Sequence, residues 1–175
     1  MAKHGYIIEA QIAAKDVDAL NKSAVASVDL DGGELVTLGA LNADGLFVAT
    51  KADGDGGNVW MVYNPSEHFT KVGDNVFAGL TIDPRDFTNL ANRPIDVFKP
   101  QVGDIITLLD TSLKAGETPA VGSFLEMGTD GYEAKASATA SKFSLEVVEK
   151  KTIPFPQKGI GFEAADAYVT RVAFN

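Results

Sequence analysis

The stretch from Trp60 to Leu109 constrains the fold more than any other part of the chain. It consists of short apolar runs, each closed by a turn. Trp60-Met61-Val62-Tyr63 ends at Asn64-Pro65, and Asn75-Val76-Phe77-Ala78 follows Val72-Gly73-Asp74. Asp96-Val97-Phe98 lies between Pro94 and Pro100, and Ile105 to Leu109 follows a second Val102-Gly103-Asp104. Runs this short, rich in Val, Ile, Phe and Trp and punctuated by Gly, Pro, Asn and Asp, are the pattern of β-strands joined by tight turns. The stretch holds no helix-length periodic segment, no phosphate loop and no metal-ligand cluster. Alternation puts Trp60 and Val62 on one face and Met61 and Tyr63 on the other. Burial of both faces would make this a central strand, with Trp60 and Tyr63 as core and rim rather than a ligand platform.

The same reading extends outward. Leu35 to Leu41 and Leu46 to Thr50 are strands joined by Asn42-Ala43-Asp44-Gly45, whose Asp-Gly is a hairpin signal. Lys51 to Asn58 is a flexible loop. Asp83-Pro84 places Asp at a cap and Pro at the first position of a helical turn, which Pro94 keeps short. Residues 111 to 124 carry turn residues and form a linker or long loop. Short strands follow at Ser123 to Glu126, Tyr132 to Ala136 and Phe143 to Glu149. Thr152 to Gly161 is Pro- and Gly-rich and predicts a loop, and Ala167 to Phe174 alternates as a closing strand. Near the start, Tyr6-Ile7-Ile8 is a short apolar strand. Val17, Leu20 and Ala24 fall at helical spacing and predict one weak helix within residues 12 to 25, with ordered coil as the alternative. The fold class expected is mainly β, with small barrel- or sandwich-like units and at most one or two short helices.

Composition narrows the function. The chain has 175 residues, enough for one ordinary domain or two small ones sharing an interface. At this size roughly 70% of the unfolded surface is buried, so no staple is required. There is no cysteine, which removes disulfides and thiolate chemistry. Fifteen Lys and Arg stand against 24 Asp and Glu, a formal net charge of -9. That balance disfavours nucleic acid, which needs a basic footprint, and anionic lipid. The N-terminus lacks the long apolar core of a signal peptide, and no run approaches the roughly 20 residues of a membrane helix. Synthesis and folding in the cytoplasm are expected.

Asp53-Gly54-Asp55-Gly56-Gly57-Asn58 invites a calcium reading. Counting from Asp53, however, the fifth, sixth and twelfth positions are Gly57, Asn58 and Asn64 rather than an acid or amide, Gly and Glu. A mobile acidic turn is the plainer reading, and a looser site using Asp29 and Asp31 stays open. The two histidines, His4 and His68, have no metal-ligand spacing. Gly122-Ser123-Phe124 lacks a nucleophile elbow. Acid pairs such as Asp29/Asp31 and Asp83/Asp86 are common in any acidic chain, and a glycosidase would need two of them facing across a cleft. No metal and no cofactor are expected, and no enzyme.

Between residues 28 and 110, about half the chain, the pieces come in a characteristic order. Asp29 to Gly33 (D-L-D-G-G) precedes the strand Leu35-Val36-Thr37-Leu38-Gly39. Next come the aromatic strand with Asn-Pro (Asn58 to Pro65), then Arg85-Asp86-Phe87-Thr88-Asn89 with Arg93-Pro94, and last Val102-Gly103-Asp104-Ile105-Ile106. In this order the chain resembles the capsid decoration proteins, accessory head proteins of tailed bacteriophages. The resemblance implies a mainly β, non-enzymatic protein that binds the major capsid protein on the outside of an assembled shell and stabilises it. It would be located on the virion exterior and could form homo-oligomers, a trimer among them. Other readings are a tail, fibre-base or major head component, a carbohydrate-binding or adhesion module using Trp60, Tyr63 and loop aspartates, and a small hydrolase.

Three regions are expected: an N-terminal arm or lead-in at 1–27, a β unit at 28–110, and a second β unit at 111–175 packed on the first. An apolar strand ahead of the body is a liability unless something covers it. Lys3, His4, Tyr6, Ile7 and Ile8 are therefore candidates for capsid or oligomer contact. Pairing within their own sheet is the alternative.

Overall fold

The computed structural model describes residues 3–52, 58–66, 69–72, 75–78, 82–128, 132–156 and 161–175. The described residues form thirteen strands: β1 (Ile7–Gln11), β2 (Asn21–Val25), β3 (Leu35–Leu41), β4 (Phe47–Lys51), β5 (Val59–Val62), β6 (Phe69–Val72), β7 (Asn75–Ala78), β8 (Pro94–Phe98), β9 (Ile105–Leu109), β10 (Phe124–Met127), β11 (Ala134–Ser137), β12 (Ser144–Pro156) and β13 (Phe162–Phe174). The described helical residues form short 3-10 turns. The mainly β class is thus the observed one.

Five strands close a small barrel in the order β2-β4-β3-β5-β8, six form a sheet in the order β1-β9-β13-β12-β10-β11, and β6-β7 is a separate hairpin. β5 is the strand on which both halves depend. It pairs with β3 and β8, and all four of its residues are buried. Trp60 and Val62 point into the barrel core with Ala24, Leu30, Val36 and Val97. Met61 and Val59 point outward, into a second core shared with Phe98 of β8 and with Ile7, Ile106, Leu125 and Tyr168 of the sheet side. Alternation along one short strand therefore fills two cores and welds barrel to sheet.

Several expectations need correction. The division at residue 110 does not follow the topology. β9, assigned to the first unit, pairs with β1 and β13 in the six-stranded sheet. The 1–27 segment is not a separate lead-in either: β1 joins the sheet, and β2 joins the barrel by pairing with β4 and β8. The helix within residues 12 to 25 is replaced by 3-10 turns at Ala13–Lys15 and Asp18–Leu20 followed by β2. Val17 is 45% exposed while Ala24 is fully buried, so the three apolar residues never share a face. Residues 111 to 124 are not a free linker, since Leu113 is buried and bridges Ala134.

The largest correction lies at Thr152 to Gly161. Residues 152–156 continue β12, which pairs with β13 to its end at Pro156↔Phe162. A strand tolerates proline where its missing N–H faces away from the ladder. Pro154 and Pro156 are two apart, so both missing donors fall on one edge, the edge away from β13. The acidic loop at residues 53–57, His68 and the Gly73-Asp74 of the first Val-Gly-Asp lie outside the described residues.

Candidate functional site: the joint around the N-terminal segment and the cleft beside Asp96

The five residues expected at a partner contact are held by their own chain. β1 is paired antiparallel to β9, with Ile7 opposite Leu108 and Ile8 opposite Thr107. Ile7 is 1% exposed. On its outward edge, where a partner strand would add, Asn64 occupies both polar groups. The Ile7 N–H donates to Asn64 Oδ1 at 2.8 Å, and Asn64 Nδ2 donates to the Ile7 carbonyl at 2.7 Å. Lys15 Nζ donates to the Glu9 carbonyl further along the same edge. The premise of an uncovered strand therefore fails, because an edge whose donors and acceptors are taken recruits no other chain.

The rest of the segment is tied down by charge and ring contacts. Lys3 Nζ reaches Asp83 at 2.7 Å and Asp86 at 2.8 Å. His4 Nδ1 lies 2.9 Å from Asp31, whose other oxygen accepts the Gly5 N–H at 3.0 Å. Tyr6 packs edge-on against Phe155, with centroids 5.8 Å apart. Ile8 alone of the five is exposed, at 38%.

These contacts explain the motif order. Gly33, at φ 92°, sits where a Cβ would lie 2.7 Å from Ile7 Cγ2 and 2.8 Å from Leu108 Cδ2. Both the positive φ and the close approach of β1 require glycine there. Asp31 pins His4, Asn64 clamps Ile7, Asn89 Nδ2 donates to the Tyr63 carbonyl, and Asp104 accepts the Ala13 N–H. The polar residues of Asp29–Gly33, Asn64–Pro65, Arg85–Asn89 and Val102–Asp104 are thus spent on joints within the chain: Asp31, Asn64 and Asp104 hold the N-terminal segment, while Asp29, Thr88 and Asn89 tie the loops on the barrel side together.

Sequence reasoning missed the buried charge at Arg85. Asp83 caps the 3-10 turn Pro84–Asp86 by accepting the Arg85 N–H, as the Asp-Pro signal predicts. The Arg85 guanidinium, 2% exposed as a residue, then folds back onto Asp83 at 2.8 Å and reaches Glu163 of β13 at 2.7 Å. It also stacks over the Phe155 ring at 4.5 Å. Burial works against the Asp83 charge, but hydrogen bonds from Arg85 and Lys3 outweigh it and hold the carboxyl at about 2. No local signal announces a partner 78 residues away.

Glu34, also missed, lies beside this joint. Burial pushes its carboxyl up to about 8; the Asp31 N–H bond pulls it partly back, and the nearby Asp31 and Glu133 charges push it further up. Between its ordinary value of 4.5 and about 8, the folded state holds a proton that the unfolded chain has lost. The corresponding stability is complete below 4.5 and drains away as pH rises to about 8. His4 acts in the same direction. Its hydrogen bond to Asp31 raises its pKa against the opposing effect of burial, so the pair stabilises below 6.5 and is lost as pH rises through the folded value. Stability is therefore expected to fall between pH 5 and pH 8, by about 2–3 kcal/mol from Glu34 after discounting for partial solvent contact. Urea titrations at each pH measure the slope. Glu34→Gln should flatten most of it, and an equal slope in the variant would refute the assignment.

A cleft opens on the barrel face next to Asp96. Two adjoining depressions of about 310 and 470 Å³ share Ser66 and Asp96. Asn21, Ser23 and Tyr63 line one, and Thr88 and Arg93 the other. The Tyr63 hydroxyl donates to Asn21 Oδ1 at 2.9 Å, and burial pushes its pKa up to about 12, so it stays protonated. Hydroxyl, amide and carboxylate groups around one ring can hydrogen-bond a small polar ligand. Trp60 takes no part: it is 8% exposed, and its indole N–H donates to Asn58 at 2.8 Å. Among the described residues no group of three or more His, Asp or Glu side chains is placed to hold a metal ion. Comparison with protein-family models, with curated proteins and with solved structures finds no match for this chain.

Proposed function

We propose that this protein is a structural component of a tailed-bacteriophage head, which binds the outer surface of the assembled shell and stabilises it without catalysis. One observation carries the reading. Among the residues by which residues 28–110 resemble decoration proteins, Asp31, Asn64 and Asp104 hydrogen-bond His4, Ile7 and Ala13 of the N-terminal segment, and the Arg85 carbonyl accepts the His4 N–H. The shared pattern thus encodes a rigid frame rather than a reactive centre. A rigid body serves a protein that acts by burying surface across shell subunits, since it loses little entropy on docking. Attachment then favours the assembled shell over its parts by mass action.

The test uses shells assembled without this protein. Co-sedimentation should show saturable binding, and the bound shells should disrupt at a higher temperature than bare ones. Equal binding to disassembled subunits, or no binding, would overturn the proposal. A carbohydrate-binding module is the second reading, favoured by the polar cleft beside Asp96. Its signature would be chemical-shift changes at Tyr63 and Asn21 on adding oligosaccharide.

A further inference from the structure

The turn that carries Asp31 is a seat for the start of the chain. Gly5 is buried on it, so close that a Cβ there would lie 2.9 Å from the Gly32 carbonyl oxygen and 3.1 Å from Asp31 Cβ. The Gly5 N–H and His4 Nδ1 both use the Asp31 carboxylate, at 3.0 and 2.9 Å. Asp31 gives its own N–H to Glu34 Oε2 at 2.8 Å, so two carboxylates share one turn. Glu133, just ahead of β11, adds a third whose charge Glu34 feels. Among the described residues the Glu34 carboxylate has that one hydrogen-bond donor and no ion pair. The imidazole that could balance it is bonded to Asp31 instead. The other charges at the seat are Asp29 and Asp86, which act on His4, and Lys3, which is bound to Asp83 and Asp86.

We infer that this cluster is a proton-operated latch: while Glu34 and His4 are protonated the start of the chain stays on the Asp31 turn, and loss of the two protons frees His4 and Gly5 from it while β1, barrel and sheet remain folded. The inference does not depend on what the protein binds. An ionised carboxylate in a buried place needs water or a cation, so something must move when Glu34 loses its proton. Its own strand cannot. Leu35 and Val36 beside it are 0% exposed, the Leu35 N–H donates to the Tyr132 carbonyl at 2.8 Å, and the Val62 N–H donates to the Glu34 carbonyl at 2.9 Å. Glu133 is half-buried and can turn outward, which removes one like charge but leaves Glu34 beside Asp31. Movement therefore falls to His4 and Gly5. Loss of the His4 proton takes the positive charge out of its bond to Asp31, and a bond without that charge is roughly half as strong. The Asp31 side chain, 25% exposed, then swings to water and gives up the Gly5 N–H. Lys3, bound to Asp83 and Asp86, and Ile7, clamped by Asn64, bracket the two residues and limit the opening. Burial and the neighbouring carboxylates keep the Glu34 proton up to about 8, and the Asp31 bond keeps that of His4 above 6.5, so the latch works across neutral pH.

The experiment is amide hydrogen exchange of the full chain by NMR, read as protection factors across neutral pH with and without low urea. The His4 N–H, 2.8 Å from the Arg85 carbonyl, and the Gly5 N–H report the latch, and the Ile7 N–H on Asn64 reports β1. Protection at His4 and Gly5 should fall at least about tenfold as pH rises from 5.5 to 8.5. That opening should be insensitive to low urea, because it exposes little surface, whereas Ile7 should open only with the fold and follow urea. Glu34→Gln should remove most of the fall. Glu133→Gln takes away a like charge at a half-buried position and should move the fall to lower pH. Gly5 protection that does not change with pH, or that falls equally in Glu34→Gln, would overturn the inference. So would a Gly5 amide with the urea dependence of Ile7, since the protons would then act on the fold as a whole. Should Glu34→Gln fail to fold, Glu133→Gln decides, and an unmoved midpoint in that variant sinks the latch.

Discussion

Deletion of residues 1–9 is expected to cost more than 5 kcal/mol and to lower the melting temperature by at least 10 °C, with loss of cooperativity as the extreme outcome. The deletion removes Ile7, which is 1% exposed and packed with Leu108 and Met61. Burial of one such side chain is worth about 1.5–3 kcal/mol. The deletion also strips β9 of its outer neighbour, including the 3.1 Å bond from the Leu109 N–H to the Tyr6 carbonyl. The Asn64 amide loses both of its partners on Ile7, and Asp31 loses His4 and the Gly5 N–H. Each polar group orphaned in a buried place adds about 1–3 kcal/mol. Circular dichroism melts of the full and shortened chains decide the matter. A shortened protein that melts like the full one but no longer binds shells would restore the segment as a docking arm. Ile7→Ala, at about 2–5 kcal/mol, provides a graded version of the same test.

What the sequence made legible was local, and what it hid was long-range. β3, β7 and β9 begin and end where their apolar runs do, at Leu35–Leu41, Asn75–Ala78 and Ile105–Leu109. β5 was read as central on condition that both of its faces were buried, and all four of its residues, Val59 to Val62, are buried. The hairpin at Asn42 was legible for a chemical reason: Asn42 Oδ1 accepts the N–H groups of Asp44 and Leu46, and Gly45 takes φ 79°. Pro154 and Pro156 misled, because proline marks a loop until the chain is known to run along an edge. Helical spacing over Val17, Leu20 and Ala24 misled because barrel closure, which pairs β2 with both β4 and β8, overrides a weak local preference. The five N-terminal residues were identified as apolar and charged, and that much was correct. Their partners Asp31, Asn64 and Asp83 lie 27, 57 and 80 residues away, and no spacing rule reaches that far.

Arg85→Met is expected to destabilise the fold by about 3–5 kcal/mol, the usual cost of removing one partner from a buried ion pair. Methionine fills similar volume and keeps contact with Phe155, so the loss reports charge rather than a cavity. The guanidinium lies 2.8 Å from Asp83 and 2.7 Å from Glu163, with side-chain exposures of 3% for Arg85 and Asp83 but 40% for Glu163. The two bridges are therefore unequal. Glu163 can turn to water when Arg85 is lost, whereas Asp83 cannot, so Glu163→Gln alone should cost under about 1 kcal/mol. The pH dependence separates the two contributions. Asp83 ordinarily titrates at 3.8 and is held at about 2 in the fold, so the stability it lends is present above 3.8 and lost as pH falls toward about 2. Without Arg85 that depression should shrink, with Lys3 at 2.7 Å holding the remainder. The gap between wild type and Arg85→Met should then be widest near neutral pH and close progressively on acidification from 4 to 2. Denaturant titrations of both proteins across that range measure it. A constant gap would mean that Arg85 supports the joint through its ring contact and packing rather than through Asp83. An equal loss in Glu163→Gln would move the buried pair from the turn at Asp83 to the hairpin.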